Sequence, residues 1–298
     1  MIQPPPLQTG DKVAIIATAR SITEKDLQPA IDLLKTWGLI PVLGTSIGLQ
    51  EHQFAGSDKE RAEDFQNQIN DPKIKAIWFA KGGYGSVRIL DMVDFSILKT
   101  QSKWLVGYSD VTVIHLHLQS LGIASLHAQM AHGIEGKSAS TSDELKNVVF
   151  GKKLQIEYAS RHPLQVNGEV KAEVVGGNLS VLYSAIGSQS MPDFTNKILF
   201  IEDLDEYLYH IDRMMQNLKR SGLLSRISGL IVGGLTDMND NSIPFGRKAE
   251  DIIFEIVKDL NIPVAFNFPA GHVETNLPLI FGKSAHLSVT SERIQLSY

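Results

Sequence analysis

Residues 74–92 read IKAIWFAKGGYGSVRILDM. Ile74 to Ala80 is a short apolar run with the composition of a buried strand, Lys81 to Gly85 is a glycine loop, and Ser86 to Met92 has helical spacing. The same order recurs downstream, where Leu105-Val106 runs into Gly107-Tyr108-Ser109-Asp110 and then a helical stretch from Val111 to Gln119. Upstream, Lys12 to Ala17 reads as a strand. Leu27, Ala30, Ile31, Leu33, Leu34 and Trp37 then mark one helix face that ends at Gly38. Ile40 to Leu43 is a further strand and Lys59 to Ile69 a mostly polar helix. This alternation predicts a parallel sheet with helices on both faces, a flavodoxin-like or Rossmann-like α/β domain. Sites in such sheets form at the carboxyl ends of the strands, where both the glycine loop and the serine corner fall.

The character changes over residues 134–172: IEGKSASTSDE is polar and rich in small residues, and RHPLQVNGE reads as a connection. The expected division is a domain over 1–155, a connection over 156–169 and a second α/β domain over 170–298. In the second part, Ile198 to Ile201 reads as a strand ending at Glu202. Leu204, Leu208, Ile211, Met215 and Leu218 lie at helical intervals on one face. Strands are expected at 229–232, 264–266 and 286–290, a helix at 248–260, and a last strand in SERIQLSY.

The chain has 298 residues, more than one typical domain of roughly 100–200 residues requires. Its 43% apolar and 20% charged residues fit a soluble globular protein. A net charge of −5 with no basic run argues against a nucleic-acid surface. The absence of cysteine excludes disulfides, thiolate nucleophiles and cysteine-ligated metal, and is compatible with a cytoplasmic location. MIQPPPLQTGDK lacks the basic and apolar regions of a secretory signal, and no apolar run approaches the roughly 20 residues of a membrane span.

Ser109 reads two ways. A Ser or Asp before an apolar helix is a common N-cap. A serine on a sharp strand-to-helix turn is also placed to attack, with the next backbone N–H at a helix N-terminus to meet developing negative charge. GYSD lacks the second glycine of the G-x-S-x-G elbow, because Val111 stands there. A serine nucleophile needs a base. His115 and His117 lie two apart on one helix and face different ways, His210 sits within an amphipathic helix, and no pair has the spacing of a zinc helix. His272 lies in a Gly/Pro-bounded loop after a strand, PAGHVETNLP. Glu202, at a strand end, is the carboxylate least like a helix cap. The KGGYGS loop could cradle an anion or supply an oxyanion donor, but matches neither nucleotide fingerprint; nor does FGKS, where Leu277 occupies the first-glycine position.

Seven stretches in order resemble the LD-carboxypeptidase family of serine peptidases, which also contains microcin-immunity hydrolases. They are GDKVAIIA, FAGSDKERAEDFQ, DPKIKAIWFAKGGYGSVRIL, VGYSDVTVIHLHL, VVGGNLSVL, LFIEDLDEYLYHIDRMMQNL and GHVETNLPLIFG. The resemblance implies a second domain of the swivelling α/β type and a triad of Ser109, Glu202 and His272. It also implies an oxyanion hole, here assigned to the backbone N–H groups of Gly83 and Asp110, and no cofactor or metal. Lys81, Gly82 and Tyr84 are the candidate substrate contacts. The implied activity is release of terminal D-alanine from a murein tetrapeptide in cell-wall recycling, by a cytoplasmic homodimer with no nucleic-acid or membrane partner. The alternative within the family is hydrolysis of a peptidyl-nucleotide antibiotic; outside it, a non-catalytic or nucleotide-binding Rossmann-like module. Two departures bear on the pocket. Lys81 stands where arginine usually opens the glycine loop, and His127-Ala128-Gln129-Met130 stands where His-Gly-Pro-Met is usual.

Overall fold

The computed structural model describes residues 1–298. In chain order the elements are β1 (Lys12–Ile16), α1 (Glu24–Thr36), β2 (Ile40–Leu43), α2 (Asp58–Asn70), β3 (Ile74–Phe79), α3 (Ser86–Ile89), β4 (Trp104–Gly107), α4 (Thr112–Ser120), β5 (Ser125–His127), α5 (Ala139–Val149) and β6 (Gln155–Ala159). They continue with β7 (Gly168–Asn178), α6 (Leu179–Ala185), β8 (Ile198–Leu204), α7 (Leu208–Arg220), β9 (Gly229–Thr236), α8 (Ala249–Val257), β10 (Val264–Ala265), β11 (Leu279–Phe281), β12 (Ser284–Val289) and β13 (Arg293–Ser297).

The first half forms the expected parallel sheet, in the order β2-β1-β3-β4-β5. β3 and β4 are buried at every position except Lys75, the pattern of strands covered by helices on both faces. Helices α1 and α2 begin in capping boxes, Thr23 with Asp26 and Ser57 with Glu60, each satisfying two backbone donors that would otherwise be orphaned. The second half is a parallel sheet in the order β7-β8-β9-β10. β11 joins the two, antiparallel to β5 and parallel to β7. One apolar cluster, including Val106, Leu126, Phe281, Phe200 and Ile231, runs beneath both halves without a break. The amino-terminal part of β7 pairs with β12, β12 with β13 and β13 with β6, an antiparallel layer beside the main sheet.

Four stretches differ from the sequence reading. Leu204 belongs to β8, paired with Thr236, and not to the helix. Asp205 follows in the left-handed region with φ of 60°, its N–H still donating to Thr236 O at 3.0 Å, so the helix starts only at Leu208. The polar stretch 139–149 is a helix, because Thr141, Leu145, Val148 and Val149 give it one buried face. Residues 155–159 lie in β6, so the expected connection begins as a strand. The strand read as 229–232 runs on to Thr236. No helix is long and apolar enough to cross a membrane.

Candidate active site

Ser109 follows the last residues of β4 with φ of 60°, one of the few non-glycine residues in the left-handed region. Such a backbone costs of order 1–3 kcal/mol and is held only where the surroundings over-determine it. Here they do. The buried Asp110 carboxylate turns back to accept from Ser86 N at 2.9 Å, tying the serine corner to the far end of the glycine loop. Burial pushes the Asp110 carboxyl up, opposed by the donors of Ser86 and Gly85 and by the charge of Arg61. Arg61, itself buried, donates to Gly85 O at 3.1 Å and to Thr18 O at 2.5 Å, and pairs with Asp58. The glycine loop is thus fastened on both sides. Gly83 within it has φ of 106°, a backbone that strains any residue with a Cβ, and a Cβ there would also displace the Arg20 side chain, whose Nε lies 2.5 Å away.

β8 carries Glu202, which is completely buried, and the loop between β10 and β11 carries His272. Glu202 Oε2 accepts from His272 Nδ1 at 2.7 Å and from His272 N at 3.1 Å. A carboxylate at Nδ1 holds the proton there and leaves Nε2 as the free base. Gly271 has φ of 101°, and a Cβ on it would lie 2.6 Å from Glu202 Oε2, so only glycine lets the loop approach. The loop is pinned by Asn276, whose Oδ1 accepts from Gly271 N at 2.8 Å, and by Thr236, whose hydroxyl donates to His272 O at 3.1 Å. Burial is the largest single influence on His272 and lowers its pKa. The hydrogen bond and charge of Glu202, with the charge of Asp203, outweigh it and raise the pKa above the ordinary value, while Lys137 works against them. The Tyr108 ring lies 4.8 Å from the His272 ring, and burial, then the charge of Glu202, keep its phenol protonated.

Ser109 and His272 line one cavity of about 470 Å³. No hydrogen bond joins Ser109 to His272 across it. Of the residues singled out in the sequence, Lys81, Gly82, Gly83 and Asp110 line the same cavity, and Glu202 stands behind His272. Tyr84 does not line it; its ring packs 6.2 Å from Phe54 and is about half exposed, at 47%. Gln129 and Met130, from the unusual His-Ala-Gln-Met segment, form part of the wall, while His127 is buried behind it.

Arg20, Asn178 and Asp203 also line the cavity, and the sequence reading missed them. The signal was available: Arg20 follows β1 and Asn178 ends β7, so both sit at carboxyl ends of parallel strands. Asp203 takes Asn178 Nδ2 and Leu204 N on Oδ1 and Ser180 N on Oδ2, all at 2.9 Å. Burial, then the charge of Glu202, raise its pKa to about 7. No three His, Asp or Glu side chains converge in a geometry that would hold a metal ion.

A carboxylate-backed imidazole and a strained serine corner line one cavity at the carboxyl edge of a mostly parallel α/β sheet, and these are the parts a serine hydrolase requires. Residues 13–128 match the LD-carboxypeptidase N-terminal domain and residues 171–287 the LD-carboxypeptidase C-terminal domain. The chain is 32% identical, over 98% of its length and 92% of the relative's, to a Bacillus subtilis protein named "Probable murein peptide carboxypeptidase". It is 25% identical to the Escherichia coli microcin C7 self-immunity protein MccF, over 98% of this chain and 94% of that one. The solved muramoyltetrapeptide carboxypeptidase of Oxalobacter formigenes superposes with a TM-score of 0.87 at 28% identity, covering 96% of this chain and 98% of that one. The chain belongs to the LD-carboxypeptidase family of serine peptidases. It is accordingly a serine-type carboxypeptidase, a hydrolase of peptide bonds.

Proposed function

We propose that the protein releases the terminal D-alanine of a murein tetrapeptide through an acyl-enzyme on Ser109. The observation that carries this is the Glu202–His272 pair at 2.7 Å on the wall of the cavity that Ser109 also lines. His272 Nε2 takes the Ser109 proton as Oγ attacks the scissile carbonyl carbon. The oxyanion is met by the N–H groups of Gly83 and Asp110. The C–N bond then breaks as His272 returns the proton to the leaving amine. Water, deprotonated by the same imidazole, attacks the ester, and its proton goes back to Ser109 as the C–O bond opens. Glu202 holds the Nδ1–H tautomer and stabilises the imidazolium formed in each half. Residues 1–155 supply the nucleophile and residues 170–298 the base and its carboxylate, so neither part acts alone.

Mass spectrometry of products from murein tripeptide, tetrapeptide and pentapeptide tests the reading. D-alanine from the tetrapeptide alone is expected, and its loss in Ser109→Ala. Undiminished cleavage by that variant rules out the mechanism. The likeness to MccF motivates a second reading, an amide of a nucleotide-linked peptide; cleavage of such an amide with all three muropeptides untouched would establish it. The reaction is placed in the cytoplasm of a homodimeric enzyme, to be checked by cell fractionation and by light scattering, where secretion or a monomer mass would contradict it.

A further inference from the structure

The charges lining the cavity are not equally committed. Asp203 has both oxygens occupied by donors, and Asp205 Oδ1 accepts from Asn239 Nδ2 at 2.7 Å. Asp110 is bonded to Ser86 N. Arg20 and Lys81, the two other fixed charges of the cavity wall, take part in none of the ion pairs of the chain. The Arg20 backbone is fixed: Ala55 N donates to Ala19 O at 3.0 Å and Ser21 N to Gln53 O at 2.9 Å, with a β-bridge between Arg20 and Phe54. The Arg20 side chain lies across Gly83, where a Cβ would meet its Nε, Cδ and Cγ at 2.5, 2.6 and 3.0 Å. The site therefore holds an unpaired guanidinium directly over the loop assigned to the oxyanion.

A carboxypeptidase substrate carries a carboxylate one residue beyond the scissile carbonyl, a reach of about 3.3–3.6 Å of extended chain. If the carbonyl oxygen sits at Gly83, the terminal carboxylate falls beside the group packed on Gly83. We infer that Arg20 is a specificity-determining residue that receives the α-carboxylate of the leaving amino acid, pairing with it through its planar fork. Lys81 is less suited: it lacks the fork, and the side-chain atoms packed on Gly83 are those of Arg20. This inference rests on the proposed oxyanion loop and tetrapeptide substrate. It adds the reason the enzyme takes only the last residue: an internal peptide bond or an amidated end offers Arg20 no anion.

The test is calorimetric binding of the murein tetrapeptide and of its C-terminal amide to Ser109→Ala, which leaves both uncleaved. Ser109→Ala is expected to prefer the acid by about 10–100-fold, the worth of hydrogen bonds to a charged group. Adding Arg20→Ala should bring that ratio close to one while leaving the affinity for the amide unchanged, and Arg20→Lys should keep part of the preference. An unchanged ratio, an equal loss for acid and amide, or a ratio that collapses with Lys81→Ala instead, each overturns the assignment to Arg20 alone. Failure of both peptides to bind Ser109→Ala overturns the substrate reading and the assignment with it.

Discussion

Replacing Glu202 by Gln removes one charge from a completely buried position and changes almost no volume. In the wild type one oxygen, Oε2, accepts both from the ring and from the backbone of His272. In the proposed mechanism the ring becomes an imidazolium in the transition state. Opposite unit charges about 4 Å apart attract by about 4 kcal/mol at an effective dielectric constant near 20. At 1.36 kcal/mol per decade, losing that attraction lowers kcat by roughly 10³-fold. The pH dependence gives a second, independent signature. Glu202 is what lifts His272 above its ordinary pKa against the pull of burial. Without it burial prevails, the imidazole stays unprotonated to lower pH, and the acid limb of the kcat/KM profile moves down. The measurement is D-alanine release by Glu202→Gln between pH 4 and 9, with circular dichroism to verify folding. A folded variant within tenfold of wild type, or one whose acid limb moves up, would refute the role given to Glu202.

Other perturbations test the supporting shell. Arg61→Met leaves the Thr18 and Gly85 carbonyls without their donor, while Asp58 keeps Arg88 at 2.6 Å; urea unfolding should show a loss of about 2–5 kcal/mol, with activity falling as the glycine loop loosens, and an unchanged midpoint would contradict the fastening. Gly271→Ala forces a Cβ to 2.6 Å from Glu202 Oε2 at a φ of 101°, so kcat should fall by about tenfold or more and stability by about 1–3 kcal/mol; wild-type turnover would mean the loop shifts freely. His115 is buried and neutral, its pKa lowered to about 4 by burial. The unfolded chain, with a pKa near 6.5, binds the proton first, so this stability is complete above pH 6.5 and is lost as pH falls toward 4, by about 3 kcal/mol. His127, lowered in the same direction by burial and by neighbouring His115 and His272, adds to it, and urea midpoints that stay level from pH 7 to 4 would exclude buried neutral rings.

The parallel first half was legible because its signals are local. Apolar runs such as Ile74–Phe79 mark doubly covered strands, and Leu27, Ala30, Ile31 and Leu34 mark the buried face of α1. The helix in 139–149 was not, because four buried side chains among hydroxyls and charges leave a weak stripe. Leu204 continues the spacing of α7 by coincidence; its place is decided by pairing with Thr236, over thirty positions away, which no local pattern encodes. Within the site, Glu202 and His272 stood out for their strand-end and loop positions, and their direct bond needed the fold. Arg20 lies outside the family-like stretches, and Asn178 and Asp203, although inside two of them, reach the cavity only through the crossing of strand ends. Tyr84 shows the converse: adjacency to Gly83 in sequence did not put its ring in the cavity.

The three residues of β11 have a consequence for synthesis on the ribosome. They come directly after the His272 loop, yet they fill the slot between β5, completed at residue 127, and β7. Until residue 281 has left the exit tunnel, the outer edge of β5 stays unpaired and the apolar cluster under both halves lacks Phe281. The strand that joins the two parallel halves and the loop of His272 thus emerge together. A nascent chain stalled at residue 270 should be inert and protease-sensitive, and one with residues 1–298 clear of the tunnel active, so the hydrolase cannot act before β11 is in place.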